Sequence, residues 1–139
     1  MSEPPTPSGS TAEGAPGVVA QPRPGRARAL RETLAGLSRL DGVTGGLLVT
    51  PDGLVIASEL PSRYPAEALA ALGATLGREL EVADERLGRG PFTAACFAAE
   101  DGTMFVSGSR VGFVMLLGAS TVDAPAVLRA LGDALARLD

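Results

Sequence analysis

Histidine, lysine and tryptophan are absent from these 139 residues, and cysteine and tyrosine occur once each. Without His there is no Ser–His or Cys–His nucleophile–base pair. A single Cys, Cys96, excludes an internal disulfide and a cysteine-based zinc site within one chain. With no Lys or His in the chain to activate it, that thiol reads as a small buried hydrophobe rather than a nucleophile. All basic residues are Arg, and the formal net charge is -4. An acidic chain so poor in aromatics lacks the basic surface that phosphate contacts need, so no nucleic-acid partner is expected. No apolar run approaches the roughly 20 residues of a membrane span. No basic start followed by an apolar stretch marks a secretory signal. These absences predict a soluble, cytoplasmic protein, and the Ala, Gly and Arg bias suits a GC-rich bacterial genome.

Hydrophobic residues make up 45% of the chain, enough for one packed domain. Residues 1–25 carry six prolines among Ser, Thr and Gly, so they read as a disordered tail with one apolar cluster, Val18-Val19-Ala20. The folded domain is expected over residues 26–139.

The domain is organised around a hairpin, Val43 to Ser58. Two β-rich runs flank Pro51-Asp52-Gly53, in which Pro presets φ, Asp caps its own backbone and Gly accepts positive φ. In the first run Val43, Leu47 and Val49 are expected on one side and Leu48 on the other, so both faces need cover. Helices are expected from Arg26 to Leu40, from Pro65 to Leu87 and from near Asp123 to the end. The first carries its stripe on Ala27, Leu30, Leu34 and Leu37, the last on Val127, Leu128, Leu131, Leu135 and Leu138. Three strands lie between the second and third helices: Phe92–Ala98, Thr103–Ser109 and the wholly apolar Phe113–Leu117, which belongs at the sheet centre.

Two features of this pattern point to association. The second helix has a leucine stripe (Leu69, Leu72, Leu76, Leu80, Ala83, Leu87), expected to pack on the sheet. Beside it runs a small-residue stripe, Ala70, Gly73, Ala74 and Gly77, expected to face outward. Each mid-helix Gly costs roughly 1 kcal/mol relative to Ala, so the stripe is read as a partner-binding surface. Strand Phe92–Ala98 has neither charge nor Pro to block its edge, so Phe92, Ala94, Ala95, Cys96 and Phe97 are expected to pair with a second copy.

The order helix, strand, strand, helix, strand, strand, strand, helix, together with Leu40-Asp41-Gly42-Val43-Thr44-Gly45-Gly46-Leu47-Leu48-Val49, Asp52–Ala57, Leu69–Ala74 and Gly108–Val111, resembles the roadblock family. That family is known from a dynein light chain and from bacterial regulators of the MglB type. The resemblance spans about residues 28–138 and does not include the tail. It implies an α/β fold of the α+β sandwich kind, roadblock/longin-like and profilin-like. The five-stranded antiparallel sheet would have order 2-1-5-4-3, with two helices on one face and one on the other. It implies a homodimer made through the third strands and the second helices. For the MglB type it also implies binding to a small Ras-like GTPase and stimulation of its GTP hydrolysis in polarity, motility or signalling.

No catalytic constellation of the chain's own is expected. There is no Walker-type loop, Gly45-Gly46 lies within a strand rather than opening a helix, and Asp52 and Asp101 each precede a turn Gly. No catalytic residue, cofactor or metal is assigned. The alternative to a GTPase regulator is a dimeric scaffold for another signalling or motor complex, with no effect on hydrolysis.

Overall fold

The computed structural model describes residues 24–138. The expected tail lies outside them except for Pro24 and Gly25, which open the first helix. In chain order the elements are α1 (Pro24–Ser38), β1 (Val43–Val49), β2 (Val55–Glu59), α2 (Ala66–Leu87), β3 (Ala94–Ala99), β4 (Gly102–Ser109), β5 (Gly112–Gly118) and α3 (Ala124–Leu138). The five strands form one sheet in the order β2-β1-β5-β4-β3, with every neighbouring pair antiparallel. Element order and strand order are those the roadblock resemblance implies.

The β1–β2 turn follows its sequence closely. Gly53 N–H donates to Thr50 O at 2.9 Å, Thr50 N–H to Leu54 O at 2.8 Å, and Gly53 takes φ +92°. The buried Thr50 hydroxyl accepts from Leu54 N–H at 3.0 Å. α1 ends two residues earlier than its apolar pattern suggests, because Arg39 and Leu40 tighten the last turn by bonding to Gly36 O and Leu37 O. α2 ends on Gly88 at φ +67°, whose N–H bonds Asp84 O and Glu85 O. At its start the N-cap is Pro65, extended and without a side-chain cap. At α3, Asp123 Oδ1 accepts from Ala126 N–H at 3.1 Å.

Two cores flank the sheet. On one face Leu30, Leu34 and Leu37 of α1 and Val127, Leu131 and Leu135 of α3 meet Leu48, Phe105, Val114 and Leu116. On the other, Ala70 and Ala74 of α2 cover Leu47, Val49, Val106, Phe113 and Met115. Each large side chain so buried contributes about 1.5–3 kcal/mol of transfer free energy. Val43 joins the α1/α3 side and not the side of Leu47, because the β1–β5 register shifts between Val43 and Gly45. β1 is interior to the sheet and its hairpin partner β2 is an edge strand.

Candidate functional site

β5 sets the position of α2. Its alternation sends Val114 and Leu116 towards α1 and α3, and Phe113 and Met115 towards α2. A helix crossing those two bulky side chains needs room beneath it. Gly73 and Gly77 provide it: a Cβ on Gly73 would lie 2.0 Å from Met115 Sδ, and one on Gly77 would lie 2.4 Å from the Phe113 ring. Ala70 and Ala74 complete the contact, and all four residues are buried. The expectation of an outward small-residue stripe is therefore corrected. Ala70, Gly73, Ala74 and Gly77 are the underside of α2, and their size lets the helix rest on Phe113 and Met115.

The leucine stripe is correspondingly turned outward instead of packing flat on the sheet. Leu69, Leu76 and Leu80 are half-buried, while Leu72 is 45% and Leu87 68% exposed, and Ala83 is exposed. Around this apolar band stand Glu67, Glu79, Glu81 and Glu85, with Arg78 and Arg86. Arg78 Nη1 donates to Pro51 O, fastening α2 to the β1–β2 turn. The complement of large residues on β5 with small ones on α2 is the signal that would have identified this orientation.

The β3 edge is open. Ala94, Cys96, Phe97, Ala98 and Ala99 are exposed, and Ala95 is half-buried. Pairing fixes their directions: Cys96 lies opposite Phe105 and so faces the α3 side, whereas Ala95 and Phe97 lie opposite Val106 and Met104 and face the α2 side. Phe97, 38% exposed, thus shares a face with the outward leucines of α2. Cys96 is not the buried hydrophobe its composition suggests, since α3 does not cover the outer strand. Phe92 precedes β3 and packs half-buried against the α2-side core, so it anchors the approach to the edge without belonging to it.

Beyond the C-terminal half of α2 lies a cleft of about 770 Å³, floored by Val82, Pro91 and Phe92 and rimmed by Arg78, Glu81, Asp84 and Glu85. It brings no nucleophile and base together. Among the described residues, no group of three or more His, Cys, Asp or Glu is placed to hold a metal ion. Nor is any described helix long and apolar enough to cross a membrane. Asp52 and Asp101 stand at opposite ends of the sheet, in the β1–β2 and β3–β4 turns, each beside its turn Gly.

The architecture has counterparts. The family model of the Roadblock/LC7 domain matches residues 30–119, from the middle of α1 to the end of β5. The chain belongs to the Roadblock/LC7 family. An uncharacterized protein of Methanocaldococcus jannaschii is 31% identical over 81 residues, covering 58% of this chain and 69% of that protein. The Roadblock/LC7 domain of Streptomyces avermitilis superposes with a TM-score of 0.69 at 22% identity, covering 78% of this chain and 92% of that one. The gliding protein MglB of Thermus thermophilus gives 0.68 at 22% identity, with 85% and 93% covered. At such identity the structural likeness speaks for the Roadblock/LC7 fold alone, and function must be argued from the surface.

Proposed function

We propose that this Roadblock/LC7 protein is a homodimeric regulator without chemistry of its own, which binds a small Ras-like GTPase and raises its rate of GTP hydrolysis. The observation that carries this reading is the apolar band on α2, Leu72, Leu76, Leu80 and Leu87, sharing a face with the open β3 edge at Phe97. A soluble domain rarely leaves an apolar helix band and a bare strand edge side by side without a partner. Pairing β3 with β3 through Ala94, Ala95, Cys96 and Phe97 joins two sheets, and the same operation brings the two α2 helices together. The paired helices then present Glu67, Thr75, Glu79 and Arg86 around a central ridge, a broad rigid platform suited to a protein partner.

The GTPase part of the proposal draws on the fold shared with MglB and on the regulators of that type within the family. With no nucleophile–base pair in the chain, the effect on hydrolysis would come from holding the switch regions of the GTPase in a productive arrangement. Localisation in the cytoplasm of a bacterium follows from the same reading.

The test has two readings from one preparation. A small Ras-like GTPase from the same organism is assayed for single-turnover GTP hydrolysis with and without the protein, and the complex is measured by pull-down. Binding with a rate increase of tenfold or more is the expected result. Binding without a rate change would establish the scaffold alternative, and no binding in either nucleotide state would overturn the GTPase assignment.

A further inference from the structure

A second groove lies on the opposite face, between α3 and the outer strands. It has a volume of about 550 Å³. Leu128, Gly132, Leu135 and Ala136 form its helical wall, and Ala94 and Cys96 lie on its strand side. Gly132 leaves that wall bare, since a Cβ there would meet nothing within 4 Å. Thr93, Ser107 and Gly108 also line it, and the buried Ser107 hydroxyl donates to Thr93 O at 2.7 Å. The groove is thus mixed in character, with an apolar helical wall, and has room for a short extended segment with small side chains.

We propose that the chain's own segment Val18-Val19-Ala20 occupies this groove on the same protomer. The entry point supports it. Arg26 Nη1 donates to Leu138 O at 2.8 Å, which pins the start of α1 against the end of α3. Leu135 and Ala136, less than one turn before Leu138, are the near end of the groove. Twenty-three residues precede Pro24, and Val18 stands six positions before it. Six extended residues span about 20 Å, more than the roughly 12 Å from Ala136 back to Leu128 along α3. Val18-Val19-Ala20 is the sole apolar cluster in that part of the sequence, and it is flanked by Pro16, Pro22 and Pro24. Proline lowers the entropy a segment loses on ordering, and so short a tether holds the effective concentration in the millimolar range. Two valines and an alanine therefore suffice for occupancy that the same peptide, added separately, would not reach.

The single thiol of the chain reports on the groove directly, because Cys96 is exposed and lines it. The rate of Cys96 modification by a soluble aromatic disulfide is measured on the full chain and on the full-length double variant Val18→Asp/Val19→Asp. Both are first shown to have the same mass in solution, so that any shielding by a second copy is equal in the two. The expected result is reaction at least threefold faster in the variant; equal rates, whether both slow or both fast, would overturn the proposal. A second variant, Val19→Cys in the full chain, is oxidised mildly at low concentration. A disulfide joining the introduced thiol to Cys96 within one chain is expected. Covalent dimers alone, or no cross-link, would overturn the placement on the same protomer.

Discussion

Phe113 and Gly77 are a matched pair, and either can be spoiled separately. A side chain at residue 77 would start 2.4 Å from the Phe113 ring, so the ring or the helix would have to move. Gly77→Val is expected to destabilise the fold by about 1–3 kcal/mol, although valine is the better helix former. Urea unfolding checks this, and an unchanged midpoint would mean that α2 does not rest on Phe113. Ala74→Arg is more severe, because Ala74 is 1% exposed and an unpaired charge in such a place costs several kcal/mol. Its expected outcome is loss of the circular-dichroism melting transition or a large fall in its midpoint. A folded variant that lost only its partner would restore an outward role for that residue.

At the scale of elements, α2 and β3 act together. Leu72→Arg places a charge on the exposed band without touching either core, and Ala95→Asp places one on the half-buried side of the edge strand. Each is expected to weaken self-association at least tenfold while leaving the circular-dichroism spectrum intact. Light scattering across a dilution series measures it. A full-mass dimer at all concentrations in both variants would move the interface elsewhere. The elements themselves were legible in the sequence. Pro-Asp-Gly, Asp-Gly and the capping glycine marked the breaks, and the apolar run Phe113–Leu117 announced the central strand. The orientation of α2 was not legible from its own residues. Two stripes of comparable width lay side by side on it, and leucines outrank glycines on any hydrophobic scale. Steric fit decided between them: the β5 side chains beneath were too large for leucines to sit on. The exposure of Cys96 was hidden for a related reason, since composition gives the burial of an average cysteine and not how far α3 extends over an outer strand.

For the whole molecule, self-association and stability are linked by mass action. If the folded chain pairs through β3 and α2 while the unfolded chain does not, the melting temperature rises with protein concentration. A rise of a few degrees over a hundredfold range is expected by calorimetry, and concentration-independent melting would indicate a monomeric transition. Hydrogen exchange should show the same coupling residue by residue. Amides of Ala94–Ala99 should be slow in the wild type and fast in Leu72→Arg, whereas those of Gly112–Gly118, flanked by β1 and β4, stay slow in both. The seating of α2 has a further consequence. A helix keyed by two glycines over Phe113 and Met115, and fastened by Arg78 to the β1–β2 turn, has little freedom to roll about its axis or slide along it. The outer face of α2 is thus held in one geometry, and association through it, as proposed, would involve little ordering. The heat-capacity change on association measured by calorimetry should therefore match the apolar area covered, with no additional contribution from coupled folding.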